Sequence, residues 1–338
     1  MENKKKERIF YLDLLRAVAI LAVIVCHVSG LYPNEIGGIF KPLIRIDTVG
    51  YIGVPIFFML SGALLLNREY EFKSFFKKRF SRIIYPYIFW ISITVILGYF
   101  FFGFWDNIPL IILGDKKYTW FVWALAGLYL FIPVINSFIK EFGLGGVKYY
   151  LVIWAVTILL NSFGLYPFNS FELSYFAGYL GYLLLGYYLV NVSIDHKKRA
   201  MILSLLLCIL SLFIHALFRY KQFGIITVTE YLNLFVVFES ACFVLFCRCF
   251  EENSWTDLNS VFTKLFNFIK NSFLAKVILS ISILSYSMYF THIIVINFIN
   301  HYTQAPNILI YYGFVIIFAW LMSFVFSKIP YVGKYTGI

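Results

Sequence analysis

The sequence predicts an all-α fold, a polytopic transmembrane helical bundle of about ten spans, as one domain over residues 1–338 with both termini cytoplasmic. Three observations carry that expectation. Hydrophobic residues make up 61% of the chain and charged residues only 13%, where soluble domains hold about 25% charge. The apolar residues fall in successive runs long enough to cross a bilayer. Lysines and arginines also fall almost entirely in alternate connections between those runs.

The runs lie at roughly 9–32, 48–66, 83–102, 118–139, 148–163, 171–191, 200–218, 231–250, 275–299 and 308–328. The 39 Phe, 26 Tyr and 7 Trp suit helices that end in amphipathic rings at the headgroup level. Segments 48–66 and 171–191 hold several glycines, among them Gly178, Gly181 and Gly186, which let membrane helices approach closely. The longest polar connection, about 251–274, places Phe262, Leu265, Phe266 and Ile269 at helical spacing, so an amphipathic surface helix is expected there.

Cytoplasmic connections retain Lys and Arg during insertion. With the N-terminus inside, the far side receives only Lys41, Arg45, Lys116, Lys117, Arg219 and Lys221, while Arg16 lies within the first span. The remaining basic residues are cytoplasmic, among them Lys4, Lys5, Lys6 and Arg8 and the run Arg68, Lys73, Lys77, Lys78, Arg79 and Arg82. The net charge of +11 is therefore a topology signal, and the lipid bilayer explains it without a nucleic-acid partner. Asp13 and Arg16 interrupt the first apolar run and no A-x-A-like cleavage site follows, so this span is expected to be permanent and not a signal peptide. Cys26, Cys208, Cys242, Cys247 and Cys249 sit in or at the ends of apolar runs without metal-ligand spacing, which points to small buried thiols and to no metal.

The first span carries the chemistry. In Tyr11-Leu-Asp-Leu-Leu-Arg16 through His27, eleven helical steps leave Arg16 and His27 about 20° apart around the axis and about 16 Å apart along it. Asp13, three residues before Arg16, is on the same side and can offset part of the cost of inserting the guanidinium, about 2.5–3.5 kcal/mol. Snorkelling of Arg16 and an interfacial place for His27 are the plain alternatives. Their joint position on a face otherwise made of Ala, Val, Ile and Leu favours function.

These residues resemble the first-helix signature of the acyltransferase 3 family, polytopic enzymes that acylate cell-surface glycans. The resemblance continues through Phe57-Phe-Met-Leu-Ser61-Gly62, the basic run Lys77-Lys-Arg79-Phe-Ser-Arg82-Ile-Ile-Tyr-Pro86, then Trp120-Phe121, Gly127-Leu-Tyr129-Leu and Pro133, and finally Ser285-Tyr-Ser287-Met-Tyr289-Phe-Thr-His292. The matches run in family order over essentially the whole chain. Thr119 stands before Trp120 where relatives often carry His, and no G-D-S-x hydrolase-like stretch follows the last span, which implies transfer completed within the membrane domain.

The resemblance implies movement of an acyl group, acetyl above all, from cytoplasmic acyl-coenzyme A to a hydroxyl of a carbohydrate or glycolipid acceptor at the outer face of the cell membrane. Arg16, Arg79 and Arg82 lie toward the cytoplasmic side, where guanidinium forks suit the donor's phosphates; Ser61 is a further candidate donor contact. His27 is the expected general base, seconded by His292, with Asp13 supporting Arg16. Glu239 begins about 12 Å inward from the outer face and is the most buried acid expected. Asp47 and Glu172 belong to the same outer half, and His215 reads as interfacial. A polytopic exporter of a glycan or lipid-linked intermediate is the alternative reading, although no pair of matching halves with interrupted helices is visible.

Overall fold

The computed structural model describes residues 8–31, 46–102, 119–164, 173–176, 178–221, 231–256, 261–302 and 307–337. Every regular element among them is helical. In chain order the α-helices are α1 (Phe10–Leu31), α2 (Ile46–Gly50), α3 (Gly53–Leu65), α4 (Phe72–Leu97), α5 (Trp120–Ser162), α6 (Leu180–Asn191), α7 (Lys197–Lys221), α8 (Leu234–Thr256), α9 (Val261–Asn271), α10 (Phe273–Tyr302) and α11 (Ile308–Lys328), with a π-helical turn at Gly98–Phe102 and short 3-10 turns at Leu173–Phe176 and Gly333–Tyr335. Seven helical stretches among the described residues are long and apolar enough to cross a membrane. Their outward faces stay apolar: Leu203, Leu206, Ile209 and Leu210 of α7 and Ile317, Phe318 and Leu321 of α11 are all exposed, as surfaces in contact with lipid must be.

Some expected segments take a different form. The runs at 118–139 and 148–163 are helical on either side of a break within α5, where the backbone leaves helical geometry at Gly143 (φ 58°, ψ −153°), a conformation that a glycine adopts without a Cβ clash. Of the run expected at 171–191, only Leu180–Asn191 forms an α-helix, 12 residues long, and residues 165–172 lie outside the described set. Helix α8 runs past the expected end at 250 to Thr256 because its polar end is satisfied. Arg248 donates to the carbonyls of Leu189 and Val192 and to Glu252 at 2.7 Å, and Lys197 pairs with Glu252 at 3.1 Å. The expected amphipathic helix is present as α9, packing Phe266 against Phe10 and Phe250 but leaving Leu265 exposed.

Helix α1 is the hub, packed against α2, α3, α8, α10 and α11. Ala19, Ile20 and Ile24 are fully buried. Its first turn is capped from a distance, because the Glu251 carboxylate accepts the backbone N–H groups of Phe10 and Tyr11, donors that no residue within the helix can satisfy. Glycines set the closest crossing, as expected. A Cβ at Gly62 would sit 1.7 Å from the Leu183 carbonyl oxygen, and one at Gly186 would sit 2.0 Å from that of Met59, so α3 and α6 meet backbone to backbone. The five cysteines form no disulfide, and all but the half-buried Cys26 are buried.

Candidate functional site

At the amino-terminal end of α1 an ion cluster forms around Asp13. Arg8 grips its carboxylate with Nε and Nη2, the latter at 2.9 Å, as a two-pronged fork. Ser282 of α10 donates its hydroxyl to Asp13 Oδ1 at 2.7 Å and accepts from Arg16 Nη1 at 3.2 Å, while the direct Arg16–Asp13 contact is longer, 3.4 Å. Two guanidiniums thus share one carboxylate, so the cluster keeps a net positive charge. Both arginines border a cavity of about 580 Å³ whose wall also includes Ser61, Arg82, Tyr85, Ser285, Tyr286, Tyr289 and Lys334. Pro86 lies in the same wall, where it removes one backbone hydrogen bond from α4. Near this break the Tyr286 hydroxyl donates to the Ile83 carbonyl at 3.2 Å.

At the other end of α1, His27 meets His292 of α10, with Nδ1 and Nε2 3.3 Å apart and ring centroids 5.0 Å apart. The distances suit one assignment of the ring protons. His292 Nδ1 lies 2.9 Å from the Met288 carbonyl, which can only accept, so that nitrogen carries the hydrogen. Neutral His292 then offers Nε2 as an acceptor to His27 Nδ1–H, and His27 is left with the lone pair on Nε2, the form that can take a proton from a hydroxyl. Two polar pairs hold the helices in register around the dyad: Ser29 with Tyr312 at 2.6 Å and Thr291 with Ser323 at 3.0 Å. Between the cavity and the dyad stand Tyr289 and Phe121, ring centroids 5.4 Å apart. Tyr289 lies 6.0 Å from the His292 ring.

A family model described as an acyltransferase domain, the acyltransferase 3 family, matches residues 9–328. The chain belongs to the acyltransferase 3 family. No curated protein and no solved structure matches it. Membership and the seven apolar helices make it a multi-pass membrane acyltransferase.

In this acyltransferase, α1 is continuous from Phe10 to Leu31, so Arg16 and His27 do share a face about three turns apart. Arg16, in contact with Asp13, borders the cavity together with Ser61 and Arg82. Arg79 and Arg82 share a face of α4, whose helix begins at Phe72. Ser61 itself donates back to the Phe57 carbonyl at 3.0 Å. His292, placed second to His27 by the sequence, is its direct partner.

Glu239 is buried as expected, whereas His215 departs from the expectation. Both are fully buried, 3.1 Å apart between His215 Nδ1 and Glu239 Oε1, with Ser211 donating to the same oxygen at 3.3 Å and the imidazole stacked on Phe235. His215 is thus a core residue and not an interfacial one, because a carboxylate buried in an apolar setting requires a polar partner. Glu172 and the side chain of Asp47 lie outside the described residues. Arg8, Ser282 and Lys334 were not singled out from the sequence as site residues. Ser282, Ser285 and Tyr289 recur at steps of three and four, a helical face that was legible. Arg8 and Lys334 lie beyond the spans and carried no local signal.

Proposed function

We propose that this acyltransferase moves an acyl group, acetyl above all, from coenzyme A at the cytoplasmic face to a hydroxyl of a carbohydrate or glycolipid at the outer face of the cell membrane. The observation that carries the reading is the pairing, on one continuous helix, of a cavity ringed by Arg8, Arg16, Arg82 and Lys334 with a histidine dyad about three turns away. A cavity bordered by guanidiniums suits phosphates, and a histidine whose far nitrogen keeps its lone pair suits removal of a hydroxyl proton. In the reaction, His27 Nε2 accepts the proton of the acceptor hydroxyl as its oxygen attacks the thioester carbonyl. The carbon–sulfur bond breaks, and the thiolate of coenzyme A leaves and takes up a proton, so that ester and free coenzyme A result. His292 orients His27 in this scheme. Arg16, held by Asp13 and Ser282, and Arg82 position the donor.

The reading also takes the bundle as ten spans with both termini inside. In this reading the break at Gly143 separates two crossings within α5, and the apolar runs at 171–191 and 231–250 are counted as the others. The charge distribution supports that orientation. Membranes containing the protein, incubated with radiolabelled acetyl-coenzyme A and surface glycan, are expected to transfer label to the glycan. Label that stays with the donor, with parental and His27→Ala membranes alike, would count against the reading.

A further inference from the structure

Beyond α11 the chain turns back. Pro330 cannot continue the helix, Tyr331 takes a left-handed conformation (φ 65°), and the N–H groups of Val332 and Gly333 both return to the Ile329 carbonyl, at 3.2 and 3.1 Å. The following residues are built into the bundle. Trp90 of α4, fully buried, donates its indole N–H to the Thr336 carbonyl at 3.2 Å, and the Thr336 hydroxyl closes the 3-10 turn onto Gly333 at 2.8 Å. Gly337 has φ +96°, and a Cβ there would lie 2.7 Å from the Tyr286 ring, so glycine is what allows the backbone to lie against that cavity wall.

We infer that this hook, residues 329–337, is part of the donor site, and that Lys334 binds a phosphate of the coenzyme A moiety; the inference rests on the donor reading above. Lys334 and Gly337 border the same cavity as Arg8, Arg16 and Arg82. Among those cations Arg8 is committed to Asp13 through its fork and Arg16 through one nitrogen, whereas the donor presents a pyrophosphate and a separate 3′-phosphate. Lys334 adds an exposed ammonium, 4.8 Å from the centre of the Tyr335 ring, on a turn anchored at Trp90 whose Tyr335 packs edge-on against Tyr85, one turn along α4 from Arg82. Retention of positive charge on the cytoplasmic side accounts for a lysine near a helix end. It does not account for a backbone tied to a buried tryptophan and a glycine fitted against Tyr286.

The test is binding of coenzyme A itself, measured calorimetrically on the detergent-solubilised full chain. Lys334→Ala is expected to weaken binding about three- to tenfold, the range for one partly solvated charge contact. Lys334→Glu should weaken it further and Lys334→Arg should restore most of it. Trp90→Phe, which keeps the ring and removes the N–H, should weaken binding in the same direction. Independently, a Lys334→Cys protein should react with a maleimide more slowly when coenzyme A is present, judged against the parental background. Parental affinity in both Lys334→Ala and Lys334→Glu, with Arg82→Ala impaired, overturns the role of the hook while leaving the donor reading in place. A parental protein that binds no coenzyme A overturns both.

Discussion

The histidine dyad makes a quantitative prediction through a double-mutant cycle. If His27 is the general base, His27→Ala lowers transfer by roughly a hundredfold or more. His292 acts only through His27, by one neutral hydrogen bond at 3.3 Å, a contact worth about 0.5–1.5 kcal/mol, or about two- to twelvefold in rate. His292→Ala alone should therefore cost about tenfold. Two independent residues would multiply to about a thousandfold, but a positioning residue has nothing left to position once His27 is gone. The double variant should match His27→Ala, a coupling of about 1.4 kcal/mol. The assay is transfer of label from acetyl-coenzyme A under saturating donor, with membrane level and coenzyme A binding measured for each variant. Multiplicative losses would refute the orienting role of His292, and parental transfer by His27→Ala would refute the base assignment.

Other consequences follow from the same geometry. Arg82→Ala should raise the KM for the donor more than Arg79→Ala, because Arg82 borders the cavity; Lys should restore Arg82 only in part for want of the fork, and equal KM values for parent and both variants would remove the phosphate assignment. Glu239→Ala should lower thermal stability by about 3–5 kcal/mol by leaving a buried polar partner uncompensated, and joint replacement of Glu239 and His215 by Leu and Phe should regain much of it; a stable Glu239→Ala protein that lacks transfer would instead make Glu239 catalytic. Phe121→Ala, which thins the wall between cavity and dyad, should let longer acyl-coenzyme A donors compete better with acetyl-coenzyme A, and an unchanged preference would remove Phe121 from the acyl path. Burial raises the Glu252 carboxyl, but hydrogen bonds from Arg248 and Lys197 bring it below its ordinary value overall. It therefore stabilises the fold above the unfolded value of about 4.3, and that stability is lost as pH falls through the folded value. The melting-temperature gap between the parent and Glu252→Gln should accordingly narrow on acidification, and a gap that widens would contradict the sign.

The sequence made the membrane bundle and the shared face of Arg16 and His27 legible because both rest on local periodicity. An apolar run of spanning length has few other fates, and the 3.6-residue repeat brings Arg16 and His27 to one face without reference to any neighbour. What a single helix could not disclose was its partners. The expected Asp13–Arg16 pair exists, yet Arg8 is the stronger claimant and Ser282 the bridge, because the contacts come from a residue ahead of α1 and from a helix some 270 positions away. Glu239 shows the same limit. Its depth in an apolar helix was readable, but its pairing with His215 was not, and that pairing separates a carboxylate with a structural partner from one near the base.

The arrangement also bears on how two aqueous compartments are joined without opening a path for water. The cavity ends at Phe57, Phe121 and Tyr289, and the His292 ring lies directly beyond Tyr289. Large rings at this point turn about only two side-chain angles, so a narrow thioester-bearing arm could displace them where a hydrated ion could not. A bundle that passed charges or whole glycans would need the reverse, a polar lining at the midpoint. On α1 the polar groups stand at Asp13–Arg16 and at His27–Ser29, with Ala17 through Cys26 carrying no charge between them. That separation of polar ends by an apolar, aromatic middle favours transfer of a small acyl group over transport of a large polar cargo.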